Sequence, residues 1–91
     1  MIEKPVYIIT FNSSNSSIWL YKLFKDNRFD VYLFLTPCIL SAGCSRSIEV
    51  SEKEFDKAVK IIKENNAPIG EIYKKYVNEN IRRYMYDKIT I

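Results

Sequence analysis

Two cysteines and an arginine are the residues of this 91-residue chain best suited to chemistry. Cys38 and Cys44 are separated by five residues, and Arg46 follows two positions after Cys44. A nearby cation or helix N-terminus lowers the pKa of a thiol and so increases the nucleophilic thiolate fraction. Cys44, next to the flexible Gly43, is the stronger candidate for a reactive thiol, with Cys38 as a resolving thiol. The alternative is that both are small buried apolar side chains, as free cysteines usually are.

Several other kinds of chemistry are excluded by composition. The chain contains no histidine, which rules out Ser-His-Asp and Cys-His nucleophile systems and any histidine-ligated zinc. Two thiolates alone do not fill a tetrahedral metal site, and the two glycines, Gly43 and Gly70, cannot form a phosphate-binding loop. We therefore expect neither a metal nor a cofactor. A Cys38–Cys44 disulfide switch stays open, although a reducing cytoplasm disfavours it.

Composition and length predict one small globular domain. The chain is 47% hydrophobic and 27% charged, which is ordinary for a folded protein. Its net charge of +3 is too small to imply a polyanionic partner. The first residues lack the basic and apolar segments of a secretory signal, and the longest apolar stretch is too short to span a bilayer. We expect a cytoplasmic protein with no membrane contact.

Hydrophobic patterning predicts the element order βαββαβ followed by a tail. Strands are expected over 6–11, 30–36, 46–50 and 69–77, and helices over 15–27 and from a capping box at 51–54 to about 65. Right-handed crossovers make an α+β, ferredoxin-like βαββαβ two-layer sandwich the simplest topology. Residues 1–77 would form this domain and 78–91 a C-terminal extension with a short helix. The cysteine loop should then lie near the Ser/Asn-rich start of the first helix.

The first two strands are apolar on both faces, although two helices cover only one face of such a sheet. Val6 and Ile8 alternate with Tyr7 and Ile9 in the first strand. An uncovered apolar face favours self-association, because large apolar patches mark interaction sites. Nucleic-acid binding is not expected, since the third strand lacks the stacking aromatics of RNA-recognition modules.

Short motifs connect the chain to a known family. They are Tyr7-Ile-Ile-Thr-Phe-Asn-Ser13, Lys22-Leu-Phe-Lys25, Leu35-Thr-Pro37, Ser41-Ala-Gly-Cys44 and Glu71-Ile-Tyr73. From about Tyr7 to Tyr73 the sequence resembles a family of short bacterial proteins that are selenium/sulfur carrier-like. Two positions depart from the family pattern: Cys38 replaces an arginine after Thr-Pro, and Ser45 replaces a glycine after the cysteine.

The resemblance implies that Cys44 holds sulfur or selenium as a persulfide or selenosulfide. Donor and acceptor proteins would then be partners, and the protein would be a carrier rather than an enzyme. The alternative function is a non-catalytic protein-binding or dimerisation module, which acts through the apolar sheet face and has lost the chemistry. Arg46 would compensate for the arginine that Cys38 replaces, because it also supplies a cation near the thiol.

Overall fold

The fold is described by a computed structural model, which covers residues 4–36 and 46–91. These two ranges contain two helices packed against a five-stranded sheet. In chain order the elements are β1 Val6–Thr10, α1 Ser14–Asp26, β2 Val31–Leu35, β3 Arg46–Ser51, α2 Glu52–Glu64, β4 Ile72–Asn78 and β5 Arg83–Ile89. All predicted elements up to β4 are present, with ends shifted by one to three residues.

The sheet is antiparallel throughout, with the strand order β2-β3-β1-β4-β5. Central strand β1 pairs with β3 on one side and with β4 on the other. The α+β class expected from the sequence is therefore confirmed. The ferredoxin-like βαββαβ sandwich is not confirmed in the expected form, because the sheet carries a fifth strand beyond β4.

The C-terminal extension was expected to contain a short helix, and this prediction is wrong. Residues Arg83–Ile89 form β5, which pairs with the whole of β4 from Ile72↔Ile89 to Asn78↔Arg83. A turn with Arg82 at a positive φ of 52° connects the two strands. A strand is favoured over a helix here because pairing with β4 satisfies the backbone N–H and C=O groups that β4 would otherwise present at an open edge.

The hydrophobic core lies between the two helices and one face of the sheet. Leu20 and Phe24 of α1 are one helical turn apart and both are completely buried, and Ile62 of α2 is 4% exposed. They pack in one cluster with the sheet residues Ile9 and Ile48. Since residues four apart share a helix face, the apolar spacing in each helix is what attaches it to the sheet.

The residues of the predicted capping box at the start of α2 make hydrogen bonds other than those of a capping box, whereas Ser13 caps α1 in the usual way. The Ser51 hydroxyl lies 3.4 Å from the Glu54 carboxylate instead of bonding a backbone N–H. The Glu54 carboxylate also accepts a hydrogen bond from the backbone N–H of Asp30 at 3.1 Å. The capping-box residues therefore connect the first turn of α2 to the residue that precedes β2.

Candidate functional site

Of the three residues expected to form the site, the structure describes one. Cys38 and Cys44 lie in segment 37–45, outside the described residues. Arg46 is the first residue of β3, where its side chain is exposed and its Cα is paired with that of Leu35 in β2. The flanking strands therefore show where the cysteine-containing segment leaves the sheet and where it returns.

Four strand termini meet at this end of the sheet. Leu35 at the end of β2 is opposite Arg46 at the start of β3, and Thr10 at the end of β1 is opposite Ser47. On the other side of β1, the Thr10 N–H donates to the Glu71 carbonyl, just before β4, at 2.8 Å. We call this the sheet end, defined by Thr10, Leu35, Arg46 and Glu71. Helix α1 follows β1 after only three residues, so its N-terminus belongs to the same region.

The N-terminus of α1 carries a positive partial charge that no acidic side chain of its own first turn offsets. The Ser13 hydroxyl caps the helix by accepting a hydrogen bond from the Ser16 N–H at 3.4 Å. The first turn contains no acidic residue. Unpaired N–H groups and the helix dipole stabilise anions near such a terminus. A thiolate brought close to this helix start would therefore be favoured over the neutral thiol.

Two buried hydroxyl groups join the strands on either side of segment 37–45. The Thr36 and Ser47 hydroxyls are 2.5 Å apart, and the two residues are only 7% and 0% exposed. Thr36 follows the last residue of β2, and Ser47 is the second residue of β3. Their hydrogen bond therefore connects the two strands next to segment 37–45. Sequence reasoning missed this pair: Thr36 was visible in the Leu-Thr-Pro motif, but its partner depends on the strand register.

A second polar cluster fastens the end of β1 to the start of β4. The Thr10 hydroxyl accepts a hydrogen bond from the Glu71 N–H at 2.7 Å and lies 3.0 Å from the Glu71 carbonyl, to which it donates. The Gly70 N–H donates to the Thr10 carbonyl at 2.7 Å. This close approach explains the glycine, since a Cβ on residue 70 would lie 2.9 Å from the Thr10 hydroxyl oxygen.

The charged residues of the described chain form surface contacts of ordinary kinds. Lys60 and Glu64 are paired at 3.8 Å one turn apart on α2, as expected for a solvated helix face. A hydrogen bond to Asp87 raises the pKa of the Tyr76 phenol above its usual value. Within residues 4–36 and 46–91 there is no group of three metal-ligating side chains and no helix long and apolar enough to cross a membrane.

The face of the sheet opposite the helices is lined by aromatic and charged side chains. We call it the open face; strand alternation and register assign to it Tyr32, Phe34, Glu49, Val6, Ile8, Tyr73, Lys75, Val77, Tyr84, Tyr86 and Lys88. Tyr32 and Tyr84 are 60% and 52% exposed, whereas Ile8 at its centre is 1% exposed. A depression of about 350 Å³ lies between Lys4, Val6, Glu49 and Lys75. Strand β1 is therefore apolar on both faces, as the sequence indicated.

Comparison with known proteins identifies a family. A family model described as "Putative Se/S carrier protein-like" matches residues 6–74, from the first residue of β1 into β4. No curated protein and no solved structure matches the chain significantly. The matched range covers three quarters of the sequence, including both helices, the first three strands and the segment with both cysteines. The chain therefore belongs to the Se/S carrier protein-like family.

Proposed function

We propose that the protein carries a sulfane sulfur or selenium atom on Cys44 and passes it on by thiol exchange. The observation that carries this proposal is family membership over residues 6–74, a range that includes Cys44. The geometry of the sheet end supports it, because the strands that flank segment 37–45 end where α1 begins. Both of the groups that activate a thiol, a helix N-terminus and the guanidinium of Arg46, belong to this region.

Loading of Cys44 breaks the sulfur–sulfur bond of the donor persulfide and forms a new sulfur–sulfur bond on Cys44. The Cys44 thiolate attacks the terminal sulfur of a donor persulfide, the donor S–S bond breaks, and the donor departs as a thiolate. Cys44 then holds a persulfide, and an acceptor thiolate removes the terminal sulfur by the same step. Alternatively the Cys38 thiolate attacks the inner sulfur, which releases hydrosulfide and closes a Cys38–Cys44 disulfide. All of these steps require a thiolate nucleophile.

A ferredoxin-like scaffold is part of the same proposal. The first six elements follow the order βαββαβ, and the two helices share one face of the sheet. We infer that β1–β4 with α1 and α2 form this scaffold and that β5 is an addition to its β4 edge. The loop between β2 and β3 then presents the carrier cysteine at the sheet end.

Intact-mass spectrometry after incubation with a cysteine desulfurase and L-cysteine tests the proposal. We expect the wild type and Cys38→Ser to gain the mass of one sulfur atom, which a reductant removes, and Cys44→Ser to gain none. Cys38→Ser is the matched control because it removes the same thiol chemistry from the same segment. No added sulfur on Cys38→Ser, in which a Cys38–Cys44 disulfide cannot form, or equal loading of Cys44→Ser, contradicts the proposal and leaves the binding-module alternative.

The role of Arg46 has a separate readout, the pH dependence of Cys44 alkylation. We expect an apparent thiol pKa below the ordinary value of roughly 8.5 in the wild type and in Arg46→Lys. In Arg46→Ala the thiol pKa should rise, because the cation next to the segment is lost. An unchanged alkylation profile in Arg46→Ala shows that the arginine does not activate the thiol.

A further inference from the structure

The charges on the open face lie on opposite sides of an apolar centre. Val6 and Ile8 of β1 form this centre. Glu49 lies on β3, on one side of Ile8, and Lys75 lies on β4, on the other side. Glu49 is half-buried and forms no ion pair with any residue in 4–36 or 46–91. A half-buried carboxylate is stabilised by a cation. Lys4 and Lys75 line the same depression as Glu49 but form no ion pair with it in the single chain.

We propose that the open face binds a second copy of this chain about a two-fold axis parallel to β1. Such an axis lays β1 on the partner's β1 and β3 on the partner's β4. Glu49, which shares a row with Tyr73 through Ile8, then faces the partner's Tyr73 and comes within reach of the partner's Lys75. The symmetry produces this acid–base contact twice, once on each side of the apolar centre.

The charge pattern distinguishes this axis from the other simple one. A two-fold axis perpendicular to the strands lays β3 on the partner's β3, whose residues on the open face include no lysine or arginine. Glu49 then meets no cation on the facing strand, and it meets the partner's Glu49 where the axis crosses the Ile8 row. Like charges that meet in an interface are strongly unfavourable. The parallel axis also places Tyr32 opposite the partner's Lys88, because both belong to the row that crosses the sheet at Ile8. An ammonium group over a tyrosine ring is favourable.

The size of the face predicts a dimer that dissociates on dilution. Five strands about 4.8 Å apart, rising about 3.3 Å per residue, give the face an area of roughly 500 Å². Two copies would bury roughly 1,000 Å² in total, at the lower limit of specific interfaces. The contact therefore depends on charge pairing and on the half-exposed tyrosines more than on bulk apolar area. This makes it sensitive to single charge reversals.

Sedimentation equilibrium of the full chain under reducing conditions, over a range of protein concentrations, tests the proposal. We expect a concentration-dependent dimer for the wild type and a dissociation constant raised about tenfold or more by Glu49→Lys or by Lys75→Glu, because each reversal acts at two symmetric contacts. The double variant Glu49→Lys/Lys75→Glu exchanges the two charges, so it should recover the wild-type dissociation constant.

Matched controls separate the interface from general charge effects. Asp56→Lys and Lys57→Glu change the net charge by the same amounts on the exposed surface of α2, and they should leave the dissociation constant unchanged. Circular dichroism confirms that each variant is folded, since Lys75 also contacts the Tyr84 ring at 4.3 Å. A wild type that is monomeric at all concentrations, or a double variant that fails to recover the dimer, overturns the proposal.

Discussion

Replacement of Gly70 by alanine is the most direct test of how the sheet end is built. The added Cβ would lie 2.9 Å from the Thr10 hydroxyl oxygen, 3.2 Å from its carbonyl oxygen and 3.3 Å from its carbonyl carbon. None of these atoms moves easily. The hydroxyl is held by two contacts with Glu71, and the carbonyl accepts the Gly70 N–H at 2.7 Å. Relief of the clash requires at least one of these hydrogen bonds to lengthen.

The expected loss of stability is the difference between two opposing effects. Overpacking of a tight site costs about 1–3 kcal/mol. Alanine restricts the unfolded chain more than glycine does, which stabilises the folded state by about 0.4–1 kcal/mol and offsets part of this cost. Gly70 does not adopt a positive φ, so no further backbone strain is added. We expect a net destabilisation of about 1–2 kcal/mol, which corresponds to a fall in melting temperature of roughly 5–15 °C for a domain of this size.

Thermal and urea unfolding of Gly70→Ala, alone and combined with Thr10→Ala, provide the assay. Thr10→Ala removes the nearest obstacle, so the cost of Gly70→Ala should fall in that background; Thr10→Ser keeps the hydroxyl and should preserve the full cost. The difference between the two backgrounds measures the coupling between residues 10 and 70. Equal costs in both backgrounds, or a Gly70→Ala variant as stable as the wild type, refute the reasoning.

Two further predictions concern β4–β5 and the core. The hydrogen bond to Asp87 raises the folded-state pKa of Tyr76, so its stabilising effect is present below the unfolded pKa of about 10 and is lost as pH rises through the folded value. Tyr76→Phe should therefore be less stable than the wild type at about pH 8, and the difference should shrink as pH rises above about 10 and through the raised pKa of Tyr76; a pH-independent difference in urea unfolding contradicts this. Phe24→Ala removes a completely buried ring that stacks on Phe29 at 5.2 Å and should cost about 3–5 kcal/mol in urea unfolding, with Phe24→Leu costing less. A loss below about 1 kcal/mol for Phe24→Ala would show that the ring is not part of a close-packed core.

The local elements were predictable from sequence where the signals agree. Around α2, a capping box, an apolar spacing of three and four residues and a closing Asn pair all indicate the same helix, and it spans Glu52–Glu64. The tail illustrates a conflict between signals. Ile81, Tyr84 and Met85 fit a helical spacing, whereas Tyr84 and Tyr86 alternate as in a strand. Pairing with β4 across the turn at residues 79–82 decides between them, and the spacing of apolar residues within the tail alone does not contain that information.

The site was predictable as a set of residue types but not as a set of contacts. Short motifs between Tyr7 and Tyr73 indicated the family, and the family model confirms it over residues 6–74. The contacts that hold the sheet end depend on register: Thr36 with Ser47 across β2–β3, and Thr10 with Gly70 across β1–β4. Threonine, serine and glycine occur in many loops and strand ends. Their pairing becomes visible only when the antiparallel alignment of the strands is known.

The proposed carrier site and the proposed interface occupy different surfaces of the same sheet. The sheet end is formed by strand termini, whereas Glu49 and Lys75 belong to the middle of the open face. A two-fold axis parallel to β1 preserves the direction of every strand, so both sheet ends of a dimer lie on the same side of the assembly. Leu35 and Arg46, which flank segment 37–45, then lie on that same side in both copies. In such an arrangement, assembly and sulfur transfer depend on separate residues of one small domain.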